Sequence, residues 1–295
     1  ASHIASTFGN KNMATEALVL IFPFSFFLLF SKLVQGLKVW ALLGITSLVL
    51  TYIIFTLTRA AWLSIAVELF CFTLYFAIRK SEILHWIDWS INKRNATIVA
   101  VLFTIVLINL NPSGEFNNTF NEVAQKITST GSIFDESSGV AGSSAILLRL
   151  EIWQTAIKMI FDAPLIGTGL GSFAQNLGNE GYATWIINNT MRAHNDLIEL
   201  AVELGLIGII LFFMVTVSLI VGIFDVLKQT TGEIHLFFFT LFISLVGSFV
   251  NLQFSFPYQT AFPLVLFGLY TGLIAKKVDQ ISKPLKCIKF SLMVA

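Results

Sequence analysis

Seven long apolar runs dominate the chain, at 13–30, 39–58, 61–78, 96–110, 197–224, 236–254 and 259–275. A helix needs about 20 residues to cross the ~30 Å hydrocarbon layer, and these runs cluster around that length. The fourth reads short, and the fifth is long enough to tilt or to project beyond the bilayer. Between them lies a polar stretch, 111–194, too long for a simple connection. Its first part, Asn111 to Ser144, is rich in Asn, Ser, Gly and Thr and reads as irregular. In its second part Ile146, Leu150, Trp153, Ile157 and Ile160 recur at spacings of four and three, which predicts an amphipathic helix over about 145–162. That helix should end before Pro164, and Gly167-Thr168-Gly169-Leu170-Gly171 then reads as a flexible turn. The expected architecture is an all-α polytopic transmembrane bundle in three parts. These are four spans within 1–110, a large outer loop at 111–194 whose amphipathic helix lies on the membrane or roofs a cavity, and three spans with a tail within 195–295.

Charge supplies the orientation. Lys32, Lys38, Arg79, Lys80, Lys93, Arg94, Lys228, Lys276, Lys277, Lys283, Lys286 and Lys289 all fall on one set of connections and the tail, out of 18 basic residues in total. By the positive-inside rule that side is cytoplasmic. The expected site of the protein is a bacterial inner membrane, with the 111–194 loop in the periplasm.

Composition agrees with a lipid solvent. Hydrophobic residues make up 56% of the chain and charged residues 12%, against about 25% in soluble domains. The mean hydropathy is +0.80 and there are 29 Phe. A net charge of +1 with no basic cluster on a soluble face excludes a nucleic-acid partner. Cys71 and Cys287 sit in or beside apolar runs, so no disulfide is expected, and no His, Cys, Asp or Glu set has metal-ligand spacing. Neither a metal nor a cofactor is expected. The polar start at Ala1-Ser2-His3, with no initiator Met or signal peptide, reads as the beginning of a C-terminal portion.

The ionisable residues on the outer side are few. Arg59, in Thr58-Arg59-Ala60-Ala61-Trp62, is an interfacial anchor or an anion clamp; a guanidinium suits the second role because its planar fork stays protonated. Arg149, in Arg149-Leu150-Glu151-Ile152-Trp153, is a solvated helix-face residue paired locally with an acid or, sharing its compartment with Arg59 and Arg192, part of a cationic site. His194 opens the fifth run, where Asn195 or Asp196 can cap the helix; an imidazole there is an idle interfacial ring or a base near neutral pH. Glu199 and Glu203, four apart on one helix face, and Glu68 inside the third run are candidates for an orienting or relay role, or for pairing with an Arg. His85 and His235 fall on the cytoplasmic side.

In order along the chain, Phe8-Gly9-Asn10-Lys11-Asn12, Thr58 to Trp62, Arg149 to Trp153, Pro164 to Phe173, and Ala193-His194-Asn195-Asp196 through Glu203-Leu204-Gly205-Leu206-Ile207-Gly208 resemble the O-antigen ligase/polymerase family of membrane glycosyltransferases. The resemblance implies metal-independent transfer of a glycan from an undecaprenyl-diphosphate carrier to an acceptor hydroxyl at the periplasmic face. It implies that Arg59 and Arg149 hold the diphosphate and that His194 is the base; Arg192 is an additional phosphate contact outside the matched pattern. The acceptor is a further carrier-linked glycan, the lipid A core or a protein. A polymerase is slightly favoured over an O-antigen ligase, since no dedicated site for the other acceptors stands out. The alternatives are a protein O-oligosaccharyltransferase and a non-enzymatic polysaccharide transporter or assembly protein.

Overall fold

The computed structural model describes residues 11–56, 58–109, 141–179 and 192–281. The Phe8-Gly9-Asn10 stretch, most of the 111–144 region, Met191 and the lysines beyond Ile281 lie outside the described residues. Within them the chain is all-α. The helices are α1 (Lys11–Ile21), α2 (Pro23–Phe30), α3 (Leu37–Phe55), α4 (Arg59–Ile78), α5 (Lys80–Trp86), α6 (Ile91–Asn109), α7 (Ala141–Asp162), α8 (Phe173–Asn179), α9 (Asp196–Gln229), α10 (Gly232–Asn251) and α11 (Ala261–Ile281). Among the described residues seven segments are long and apolar enough to cross a membrane, with α1 and α2 forming one of them across a Pro23 kink.

The centre of the bundle is α10. It packs against α4, α1, α2 and α9, and buries Phe238, Phe239, Leu241 and Ile243. Phe72, Phe239 and Ile243 interlock between α4 and α10, with the Phe72 and Phe239 rings edge to face at 5.3 Å. On the outside, α3 and α6 pair with each other, and α6 shows Ile98, Leu102, Phe103 and Ile105 outward. Continuous apolar exposure of that kind is tolerated where lipid replaces water.

The fourth span is not short, as its apolar run suggested. It begins at Ile91, because Lys93 is buried and satisfied: its Nζ donates to the Ser31 carbonyl at 2.6 Å and pairs with Asp88 at 3.2 Å. Lys32 N–H donates to Glu233 at 2.6 Å, and His235 lies between the Tyr75 hydroxyl and the Thr230 carbonyl. The buried polar groups at this basic end are thus occupied in tying helices together.

The fifth span departs most from expectation. Helix α9 has 34 residues, but Gly205 sits inside it at φ 62°, ψ −161°, breaking it into an outer piece and a spanning piece. The segment after α7 repairs the break. Thr168 N–H donates to the Val202 carbonyl and Gly169 N–H to the Glu203 carbonyl, both at 2.9 Å. In return, Leu206 N–H donates to the Pro164 carbonyl at 2.8 Å and Ile207 N–H to the Leu165 carbonyl at 3.2 Å. Four backbone groups orphaned by the kink regain partners, as a non-aqueous setting requires. The glycine-rich stretch is therefore a docked strap and not a flexible turn. A side chain at Gly205 would meet the Leu165 and Gly167 backbone at 2.6 Å, and one at Gly167 would strike the Glu203 backbone.

Candidate active site

The outer piece of α9, α7 and α8 form a small core of their own. Ile152, Ala156, Met159, Phe173, Leu177, Ala193 and Val202 are buried together, flanked by Trp153, Ile160 and Ile198. The inward stripe of α7 is thus Ile152, Ala156 and Met159, displaced from the one read off the sequence. Leu150 and Ile157 instead join Phe161 on the opposite, exposed face, seven and four residues apart. The helix is apolar on two sides, and periodicity alone could not tell the protein-facing side from the other.

This core holds a tight turn at Arg192–Asn195. Ala193 is gripped from both directions: its N–H donates to Glu199 Oε2 at 3.1 Å, and its carbonyl accepts from Trp153 Nε1 at 2.8 Å. His194 follows in the left-handed region at φ 52°, the single non-glycine residue there among the described residues. Such a conformation costs roughly 1–3 kcal/mol and persists where neighbours over-determine it. Asn195 then caps α9, accepting from Leu197 N–H at 3.0 Å and Ile198 N–H at 3.1 Å. Asp196 does not cap. Its Oδ2 accepts from Tyr258 N–H at 2.9 Å, while its own N–H donates to the Leu252 carbonyl at 3.0 Å, tying the turn to the α10–α11 connection. That connection brings the Phe256 ring to 5.5 Å from the His194 ring.

The cations divide into two kinds. Arg192 is paired: its Nη1 lies 2.6 Å from Glu199 Oε1, with Glu199 fully buried. Among the described residues neither Arg59 nor Arg149 has a carboxylate within ion-pair distance. Arg59 is the exposed first residue of α4, held there by a corner in which Trp62 Nε1 donates to the Ile53 carbonyl at 3.0 Å. Arg149 is half-buried on α7. Burial, and then the neighbouring Arg59 charge, pull the Arg149 pKa down from its ordinary value. Burial, and then the Arg149 charge, push the His194 imidazole down to about 4. Three residues far apart in sequence therefore share one electrostatic environment, which carries excess positive potential and a neutral imidazole.

The acids separate similarly. Glu203 accepts from Phe173 N–H at 3.2 Å and, like Glu199, braces the outer core. Glu68 stands apart, nine residues beyond Arg59 on α4, about 13 Å along the axis. Both of its oxygens are buried without a hydrogen-bond partner, and Gly247 of α10 makes room for them, since any side chain there would strike Glu68.

Sequence reading passed over Glu16, which lies buried in the first span. It accepts from Ser255 Oγ at 2.5 Å and Thr260 Oγ1 at 3.0 Å, fixing the loop that carries Phe256. An acid inside an apolar run was the available signal. Nothing local marked Phe256, which reaches His194 only through the fold. Among the described residues no three His, Cys, Asp or Glu side chains gather as metal ligands.

No curated protein matched the chain by sequence. Residues 44–213, from within α3 through the strap and into the spanning piece of α9, match the family model described as O-antigen ligase. With more than half of the chain matched, and with its seven membrane-capable helices, this multi-pass membrane protein belongs to the O-antigen ligase family of glycosyl-transferring enzymes in polysaccharide assembly.

Proposed function

We propose that the protein transfers a glycan from an undecaprenyl-diphosphate carrier to an acceptor hydroxyl at the periplasmic face of a bacterial inner membrane. The observation that carries this reading is that Arg59 and Arg149, which have no carboxylate within ion-pair distance among the described residues, lie in electrostatic reach of a His194 held in its neutral form. Positive potential without a carboxylate partner among the described residues suits a dianionic ligand, and two guanidinium forks match a diphosphate. In the proposed step the acceptor oxygen attacks the anomeric carbon of the carrier-linked sugar. The bond from that carbon to the phosphate oxygen breaks, and its electron pair leaves with the diphosphate. Arg59 and Arg149 stabilise the charge that develops there, and no metal is required. The acceptor's proton goes to His194 and then to water.

Arg192 serves chiefly to orient Glu199, which in turn fixes the N–H of Ala193; its N–H groups not spent on Glu199 remain open to a phosphate oxygen. Glu203 supports the same turn. The lipid-facing side of α7, with Leu150, Ile157 and Phe161 exposed, suits a helix lying in the headgroup layer beside the carrier. On this reading the chain divides as four spans, a periplasmic loop that completes the site, and three further spans. The acceptor is read as a second carrier-linked glycan, making the protein a polymerase. Ligation to the lipid A core is the second reading, favoured by the description of the matched family.

The test separates binding from turnover in the purified full-length protein. Arg59→Ala and Arg149→Ala should each weaken binding of the carrier-linked glycan and slow transfer, with Lys restoring only part of either. His194→Ala should bind carrier normally and lose turnover by ~10²–10⁴-fold, the usual range for a general base. Arg variants with unchanged binding and unchanged turnover would reduce Arg59 and Arg149 to interfacial anchors.

A further inference from the structure

We infer that the cleft between α9, α10 and α11 seats the polyisoprenoid chain of the carrier, an inference that rests on the carrier-linked donor proposed above. A cavity of about 220 Å³ opens between these helices. Its lining runs from Phe212 to Ile223 on α9, from Val250 back to Phe242 on α10, and from Tyr258 to Ile274 at α11. It therefore begins at the end of the bundle that holds His194. It stops six residues before the end of α9, about 9 Å short of the basic end. Along this depth the lining carries almost no polar function. Thr216 spends its hydroxyl on the Phe212 carbonyl at 2.8 Å, which leaves Tyr258, at the mouth, as the other polar side chain. A cleft so lined, descending from a polar site into the bilayer, fits a hydrocarbon chain attached to a polar head.

Continuity with the site selects the occupant. The turn Phe256–Tyr258 is shared between the two: Phe256 lies against the His194 ring, while Tyr258 stands at the cleft mouth with its ring 4.8 Å from Phe267 and 6.3 Å from Phe212. The Asp196–Tyr258 hydrogen bond locks that mouth to the residue two places after His194. A lipid whose diphosphate sits on the arginines can thus lay its chain over this turn and down between the helices. A bulk phospholipid has no comparable reason to be held at this end. The aromatic rings at the mouth also present faces to the branched methyls of an isoprenoid.

The experiment uses the full-length protein in phospholipid nanodiscs, with the same glycan diphosphate carried on an undecaprenyl or on a geranyl chain. Val246→Trp and Leu219→Phe each place bulk inside the cleft and touch none of the proposed catalytic groups. Both should raise KM for the undecaprenyl donor tenfold or more, with little change in kcat and none in either constant for the geranyl donor. In the unaltered protein, a diazirine placed on the polyprenyl chain should label peptides of α9 and α10 at the cleft, and Val246→Trp should abolish that label. Equal effects of the bulky variants on both donors, or labelling confined to other helices, would overturn the inference while leaving the donor proposal standing. Labelling of the cleft by a diazirine phospholipid that polyprenyl diphosphate fails to displace would overturn it too. Failure of the folded protein to use either donor would instead remove the donor proposal itself.

Discussion

His194 carries three constraints at once: a left-handed backbone, a ring set at a tilt against Phe256, and a neighbouring guanidinium. Its neutral form is the one that can accept a proton. Because burial and Arg149 hold the imidazole at about 4, below its ordinary 6.5, that form persists as pH falls through 6.5 and is lost as pH falls through about 4. The acid limb of kcat/KM, which reports the free enzyme, is therefore expected well below 6.5. Arg149→Leu removes one of the two causes, so the limb of its residual activity should move up toward 6.5 without passing it. A limb at 6.5 in the unaltered protein, unmoved by Arg149→Leu, would detach His194 from this environment. A second expectation concerns Trp153, which holds the carbonyl next to His194. Trp153→Phe keeps the ring in the outer core but leaves that carbonyl unpaired, at a cost of about 1–3 kcal/mol. Turnover should fall with little change in carrier binding, measured separately. Arg59, Arg149 and His194 were legible in the sequence because ionisable side chains are rare beside apolar runs. Trp153 and Phe256 were not, because their contributions arise from contacts across 40 residues or more.

Among the elements, the spans could be read from hydropathy, since lipid demands unbroken apolar helices of a set length. The break in α9 could not. Gly205 stands in a stretch whose pattern continues without a fault, and the reason for it lies in another segment, the strap at 164–172. The two glycines that meet there are predicted to be far less replaceable than those nearby. Gly171 has φ 77° and open space around a would-be Cβ, so Gly171→Ala should cost only the left-handed penalty of about 1–2 kcal/mol. Gly167 has φ 68° and in addition faces the Glu203 backbone, so Gly167→Ala must push the strap off the helix and break its hydrogen bonds. In thermal unfolding followed by detergent size exclusion, Gly167→Ala should fall well below Gly171→Ala and should lose transfer activity. Equal melting of the two would refute the docked strap. The direction of the apolar face on α7 was also beyond the sequence: with two apolar sides present, only the position of α8 and of the outer part of α9 decides which is covered.

At the scale of the whole molecule, the charge bias that orients the chain makes a direct prediction. In a background free of native cysteines, Gly131→Cys should react with an impermeant thiol reagent added outside intact cells after opening of the outer membrane. Lys228→Cys, on the exposed basic end, should react only after the inner membrane is made permeable. The reverse pattern would invert every assignment of sidedness. Transfer should also survive exhaustive chelation with EDTA; complete loss restored by one specific divalent ion would show that a metal takes part. The strap has a consequence for biogenesis as well. On the proposed sidedness, the backbone groups on both flanks of Gly205 lack their strap partners until residues 164–172 have reached the periplasmic side. The fifth span could then enter the bilayer early, while its Gly205 break would be completed only when the preceding loop has crossed and folded back onto it. On the same sidedness, assembly of the site would be timed by translocation, and an incompletely exported chain would lack the formed His194 turn.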